Sequence, residues 1–214
     1  MANPQVHSRS SARKFGGVWQ DYIEVHSFLD SSKLHIATAN HRALLHHEFG
    51  KRLAMEIFAN QPNIEAVIDQ HFSEDFTKFT PSVAKWFEVV DVEAVPKLVL
   101  DYSILEQCDN SVKIFGGAPE DYFDLHEFID SITEYSLPTW GITHSTFGLY
   151  LAEMKFGYVV GPRDVPTRTV AEKHILAEYG TIPSAQDWLK AVRIQPWMYN
   201  QASQLSAILE QTVA

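Results

Sequence analysis

A histidine followed four residues later by an acid occurs four times in this 214-residue chain: His26 with Asp30, His71 with Asp75, His126 with Asp130 and His174 with Glu178. On a helix that spacing sets imidazole and carboxylate one turn apart on one face, where they can chelate one ion or hydrogen-bond each other. His46 and His144 complete two candidate metal sets. The first is His26, Asp30, His46, His71 and Asp75; the second is His126, Asp130, His144, His174 and Glu178. Imidazole nitrogens with one or two carboxylates suit zinc, manganese or iron. The same spacing also forms ordinary surface pairs worth only tenths of a kcal/mol. Phe28 and Ile129 lie alongside, so hydrogen-bonded core histidines are the competing reading.

These residues stand out because the chain repeats itself. Between Ser11 and Ser31, ten of twenty-one positions are identical to those between Ser111 and Ser131, including Phe-Gly-Gly, Asp-Tyr, the histidine and the aspartate. From His46 to Phe58, six of thirteen positions match His144 to Phe156. Further on, His71 pairs with His174, Pro81 with Pro183 and Trp86 with Trp188. Two diverged copies of one ancestor therefore filter the polar residues down to those both retained. The copies are unequal: the first alone holds His35, His41 and His47, with Tyr135 and Ser145 standing where His35 and His47 were. A richer first site and a reduced second one are expected, with His41 and His47 either in the site or on a solvated face.

Elements of helical periodicity must position these groups. Ser10-Ser11 would cap a short helical turn that Gly16-Gly17 ends. Asp21 opens a helix with Tyr22, Val25, Phe28 and Leu29 on one stripe. Lys33 to Phe58 reads as helical, interrupted near Asn40, and Ile64 to Phe76 as another helix after Gln61-Pro62-Asn63. Thr80-Pro81 would start a short helix through Trp86. Glu88 to Leu105 is the connector, where Pro96 argues against a central strand. The second copy repeats the cycle, adding a small hairpin around Gly161-Pro162-Arg163-Asp164 and helices ended by Gly180 and begun by Ser184. A tail from Gln201 to Val213 would form a docking helix. The expected fold is mainly α: two tandem homologous helical units, residues 1–104 and 105–214, related by a pseudo-twofold, with at most a small β-hairpin. Exposed Trp86 or Trp188 would then pack against the partner unit.

Composition narrows the function. A 45% hydrophobic, 12% aromatic chain has the material for a packed core rather than disorder. A net charge of −10 argues against binding a phosphate backbone, which needs a basic footprint. Cys108 is the only cysteine, so no internal disulfide forms, and nothing beside it in sequence would activate a thiol. No apolar run approaches membrane-spanning length and the N-terminus lacks a signal-peptide core, so a soluble cytoplasmic protein is expected. Phe-Gly-Gly is no phosphate cradle, because neither GxGxxG nor GxxxxGK[ST] surrounds it; a helix stop needing positive φ explains it. No GxSxG elbow accompanies the serines near His7.

The run Ser-Ser-Ala-Arg-Lys-Phe-Gly-Gly, then Asp-Tyr and His-Ser-Phe-Leu-Asp-Ser-Ser-Lys-Leu-His, then His-Arg-Ala-Leu-Leu-His-His resembles short histidine-rich proteins of a domain-of-unknown-function family found in bacteria and phages. That family's later segment is similar to Glu172-Lys173-His174 and to Ile182-Pro183-Ser184 through Trp188-Leu189. The resemblance implies two such units fused and brings no activity with it. The residues themselves point to a metal-dependent hydrolase, most plausibly of a phosphoester or nucleotide, its ion activating water. The alternatives are a binding module for a small molecule or protein, such as a phage-type inhibitor, or a structural protein. Homo-oligomerisation is compatible with each.

Overall fold

A computed structural model describes residues 3–36, 41–76, 81–132 and 137–193. It is mainly helical, with eleven α-helices and one two-stranded antiparallel hairpin among the described residues. The chain divides into two compact units, one within Met1–Glu88 and the other Val89–Val192. The tail expected to form a helix at Gln201–Val213 lies outside the described residues.

The first unit contains α1 (Pro4–Phe15), α2 (Ile23–Leu29), α3 (Arg42–Leu45), α4 (Glu48–Ile57), α5 (Ile64–Phe76) and α6 (Val83–Trp86). The second contains α7 (Ile104–Phe115), α8 (Glu120–Asp130), α9 (Thr146–Phe156), a hairpin of β1 (Val159–Val160) and β2 (Val165–Pro166), α10 (Thr167–Tyr179) and α11 (Ala185–Leu189). Val25, Phe28, Leu29, Leu44, Leu53 and Ile68 are buried in the first unit, and Leu125, Ile129, Phe147, Leu151, Val170 and Ile175 in the second. This apolar burial leaves the histidine faces of α2, α5, α8 and α10 turned inward as well.

Several boundaries differ from the expectations. α1 begins at Pro4, capped by Asn3, whose side chain accepts from the Gln5 N–H. Ser10 and Ser11 therefore sit inside the helix, and the buried Ser11 is free to serve the site. The helix expected from Asp21 starts at Ile23, after a 3-10 turn at Trp19–Asp21. Between Lys33 and Phe58 the described backbone breaks at His46-His47, where α3 ends and α4 begins. The short helix through Trp86 is capped by Ser82, whose hydroxyl accepts from Lys85, and Thr80, expected to start it, lies outside the described residues. The connector packs on the second unit: Val90 bridges to Val192, and the Val99 and Leu100 N–H groups donate to the Glu178 carbonyl at the end of α10.

The Phe-Gly-Gly motifs do end helices. Gly16, Gly17, Gly116 and Gly117 all have φ between 76° and 86°, which favours glycine. Asp21 then accepts from the Val18 N–H and Asp121 from the Ala118 N–H, while the Tyr22 and Tyr122 hydroxyls each donate to the carbonyl of the first glycine at 2.8 Å. The stop thus fixes where α2 and α8 start, and with them His26 and His126.

Trp86 and Trp188 are buried, contrary to the exposed placement expected for them. The Trp86 indole N–H donates to the His46 carbonyl and that of Trp188 to the His144 carbonyl, each at 2.9 Å. A buried indole needs such an acceptor, and here the acceptor is the turn that carries the central histidine. The same turn explains the shared glycine: a Cβ on Gly50 would fall against the Leu45 carbonyl, and one on Gly148 against the Thr143 carbonyl, both far inside contact distance and both against backbone. Gly50→Ala and Gly148→Ala should each destabilise the protein by about 1–3 kcal/mol, as overpacking does. Thermal unfolding checks this; a melting temperature equal to that of the wild type in both variants would show that the turn is not constrained by this approach.

Candidate metal centre

In the first unit, α2, the α3–α4 turn and α5 bring together Asp30, His46, His71 and Asp75, all buried, with ligand atoms within 4.8 Å of one another. His46 Nε2 lies 3.1 Å from His71 Nε2 and 3.1 Å from Asp75 Oδ2, and 3.7 Å from Asp30 Oδ1. In the second unit α8, the turn before α9 and α10 assemble Asp130, His144, His174 and Glu178 in the same way. His144 Nε2 is 3.4 Å from Asp130 and 3.2 Å from Glu178; His174 Nε2 is 3.3 Å from both. His144 Nε2, His174 Nε2 and Glu178 Oε2 are buried without a hydrogen-bond partner. Nitrogen and oxygen lone pairs so crowded, yet not aligned on one another, form a donor set for a cation.

His26 and His126, placed in the candidate sets by sequence, stand one step behind this convergence. His26 Nδ1 is 3.0 Å from His71 Nδ1, and His126 Nδ1 is 2.8 Å from His174 Nδ1. Their outer nitrogens meet serines: Ser11 Oγ and Ser111 Oγ lie 2.9 Å from His26 Nε2 and His126 Nε2. One tautomer assignment satisfies the first unit's chain. His71 Nδ1–H donates to His26, His26 Nε2–H to Ser11, and the Ser11 hydroxyl to Gln70 Oε1 at 3.3 Å. It leaves the Nε2 lone pair of His71 facing the group, 3.1 Å from His46 Nε2 and 3.9 Å from Asp30 Oδ1 and Asp75 Oδ2. Histidine ligands are commonly oriented by such outer partners.

His41 and His47 are both buried, so neither occupies the solvated face that sequence left open, and neither joins the four-residue group. His41 Nδ1 pairs with Ser32 Oγ at 3.0 Å. His47 caps α4: its Nδ1 accepts from the Gly50 N–H at 3.2 Å while its Nε2–H reaches the Ala43 carbonyl at 3.1 Å. Ser145 accepts from Phe147 and Gly148 at the matching position. The His47-to-Ser145 exchange therefore preserves a helix cap and removes no ligand.

Electrostatics separate the two centres. In the first, burial pushes His46 and His71 down, helped for His71 by its histidine neighbours, and burial takes His26 and His47 to about 3. Burial opposes charge on Asp75, but His46, His71 and Arg42 hold its carboxyl well below the usual range. Arg42 Nε donates to Asp75 at 2.9 Å and Lys33 Nζ lies 2.7 Å from Asp30. In the second centre Trp140 stands where Arg42 was, and Glu178 has no Arg or Lys partner among the described residues. Its nearest neutral donor is the Gln107 amide at 3.3 Å. Burial disfavours charge on His174, yet Asp130 and Glu178 raise it to about 9. Lacking the arginine, the second unit draws its positive charge from an imidazole.

The helix α1 supplies partners that pattern reading missed. His7 Nδ1–H donates to Glu74 at 2.6 Å, and the Ser10 hydroxyl and the Gln70 amide donate to the other oxygen of the same carboxylate at 2.6 and 2.7 Å. Burial opposes ionisation of Glu74, but these three donors bring its carboxyl down to about 2. The identity of Ser11 with Ser111 was a usable signal for the serine relay; Glu74 had none, because Ala177 replaces it. Cys108 is buried, which pushes its thiol up, consistent with an inert side chain.

Among the described residues no helix is long and apolar enough to cross a membrane. Comparison with curated proteins and with solved structures returned no match. A family described as Domain of unknown function (DUF6915) matches the chain twice, over residues 2–95 and 103–198. The two matches coincide with the two repeats, each enclosing one buried His/carboxylate centre. The chain thus belongs to the DUF6915 family and carries its domain in tandem.

Proposed function

We propose that this is a divalent-metal protein whose second unit holds the working centre, and that the centre supports hydrolysis. The observation that carries the reading is the difference at one position: Arg42 neutralises Asp75, whereas Trp140 leaves Glu178 to face His144 and His174 without a fixed cation. Once His174 gives up its proton, two carboxylates and two imidazoles match the charge of a divalent ion and its preference for nitrogen and oxygen donors. Where only a titratable imidazole offsets the buried carboxylate, a divalent ion can take over that role, so the second centre gains most from an ion. Zinc, manganese or iron fits the donor set.

Access supports the same assignment. The Asp130 side chain is 19% exposed and that of Asp30 only 2%. An ion here would supply Lewis acidity and a water acidic enough to attack an ester at neutral pH. Glu178 and Asp130 lie where one carboxylate can bind while the other accepts that water's proton, and His126 holds His174 in its ligand tautomer. A phosphoester or nucleotide remains the substrate class this chemistry best serves, since the ion would also offset phosphate charge. The first centre, sealed and already paired with Arg42 and Lys33, fits a weaker or purely structural ion.

Metal analysis of full-length protein purified without a histidine tag should find at least one stoichiometric transition ion. His144→Ala with His174→Ala should remove the tight equivalent, whereas His46→Ala with His71→Ala should leave it in place. Absence of metal from the wild type, or loss confined to the first-unit variant, would refute the assignment. His126→Ala should weaken binding roughly 10–100-fold in a chelator competition, the usual effect of removing an outer partner. Unchanged affinity would mean that the His126–His174 contact does not tune the centre. Hydrolysis of p-nitrophenyl phosphate should disappear with the His144/His174 pair and survive the His46/His71 pair.

A further inference from the structure

The second unit has a cleft of about 330 Å³ between α7 and α10, lined by Gln107, Asn110, Lys113, Lys173, His174 and Ala177 among others. Its volume lies at the small end of ligand pockets, about 300–1,000 Å³. The first unit shows what such a place holds. There the Glu74 carboxylate is gripped between α1 and α5 by His7, Ser10 and Gln70. The repeat makes each of these positions correspond to one in the cleft: His7 to Gln107, Ser10 to Asn110, Gln70 to Lys173 and Glu74 to Ala177.

In the second unit all three of these positions carry a side chain with N–H donors, while the acceptor position holds only a methyl. Gln107 spends one N–H on Glu178 and has a second. Asn110, Lys113 and Lys173 have no hydrogen bond or ion pair of their side chains among the described residues. Donors without an internal carboxylate, set around a cavity where the other unit seats one, are the arrangement expected of a site that takes the same group from outside.

We propose that the α7–α10 cleft binds a small molecule through a carboxylate, seated against Gln107, Asn110 and Lys173 where Glu74 sits in the first unit. Lys113 at the rim adds attraction for an anion, and the apolar Ala177 leaves room for a short hydrocarbon body. The cleft borders His174 and its Gln107 also donates to Glu178, but none of the three donors is itself a candidate metal ligand, so the carboxylate site does not require the metal.

Isothermal titration of the full chain with straight-chain monocarboxylates from acetate to hexanoate tests this, run with and without a chelator present. Saturable binding to one site, retained in the chelator, is expected. Ala177→Glu, which rebuilds the first unit's internal carboxylate, should weaken it at least roughly tenfold, about 1.4 kcal/mol. Lys173→Met, a change at an exposed position, should also weaken it, which keeps the test decisive if Ala177→Glu misfolds. No saturable binding to the wild type, binding that vanishes with the chelator, wild-type affinity in both variants, or tighter binding of inorganic phosphate than of any carboxylate would each overturn the proposal.

Discussion

Two carboxylates and three imidazoles packed together in each unit, all buried except the part-exposed Asp130, are the constraint around which the surrounding structure is built. Burying an ionised carboxylate costs several kcal/mol unless charge and hydrogen bonds replace the water it loses. Each unit meets that demand with its own partners. Arg42 and Lys33 supply fixed positive charge in the first; the second relies on His174, which its two acidic neighbours keep protonated to about 9. Everything that places these groups must be rigid, because a buried charge displaced by an ångström loses its compensation without regaining water. Hence the indole of Trp86 or Trp188 fastened to the histidine turn, and hence the glycine beneath it where no Cβ fits.

Much of this was legible in the chain because it is written twice. The retained His/acid pairs contain six of the eight residues that converge, the shared His46 and His144 are the other two, and the Phe-Gly-Gly repeats mark the helix stops that aim α2 and α8. What periodicity could not supply was rank. His26 and His46 are equally retained, but whether an imidazole faces the carboxylates or backs another imidazole depends on three helices meeting. Spacing within one of them does not decide it. The break at His46-His47 was hidden for a related reason: Leu44, Leu45, Phe49 and Leu53 keep a helical rhythm across a turn that only the Gly50–Leu45 approach reveals.

Histidine count was the misleading signal. The first half has more histidines, which reads as the richer site, but its extra members serve local ends. His47 caps a helix as Ser145 does, His41 pairs with Ser32, and His7 holds Glu74. A buried imidazole is an efficient structural side chain: desolvation keeps it neutral, and it offers one donor and one acceptor to a crowded interior. Counting such residues measures how polar the interior is. The residues they face decide whether an ion is wanted.

The two units therefore read as one scaffold relaxed in opposite directions. The first has closed: it neutralised Asp75 with Arg42 and filled the space by α1 with its own carboxylate. The second exchanged that arginine for Trp140 and Glu74 for Ala177, giving up internal pairing at two separate places. Loss of pairing alone would be a simple cost, and a chain drifting without function would be expected to lose the orphaned partners as well. It nevertheless has Glu178, one methylene longer than Asp75 yet 3.2 Å from His144, and donors at all three positions whose counterparts hold a carboxylate in the first unit. Side chains in matched sets, one acidic around the centre and one donor-rich beside the cleft, are what a protein maintains when further partners arrive from solution.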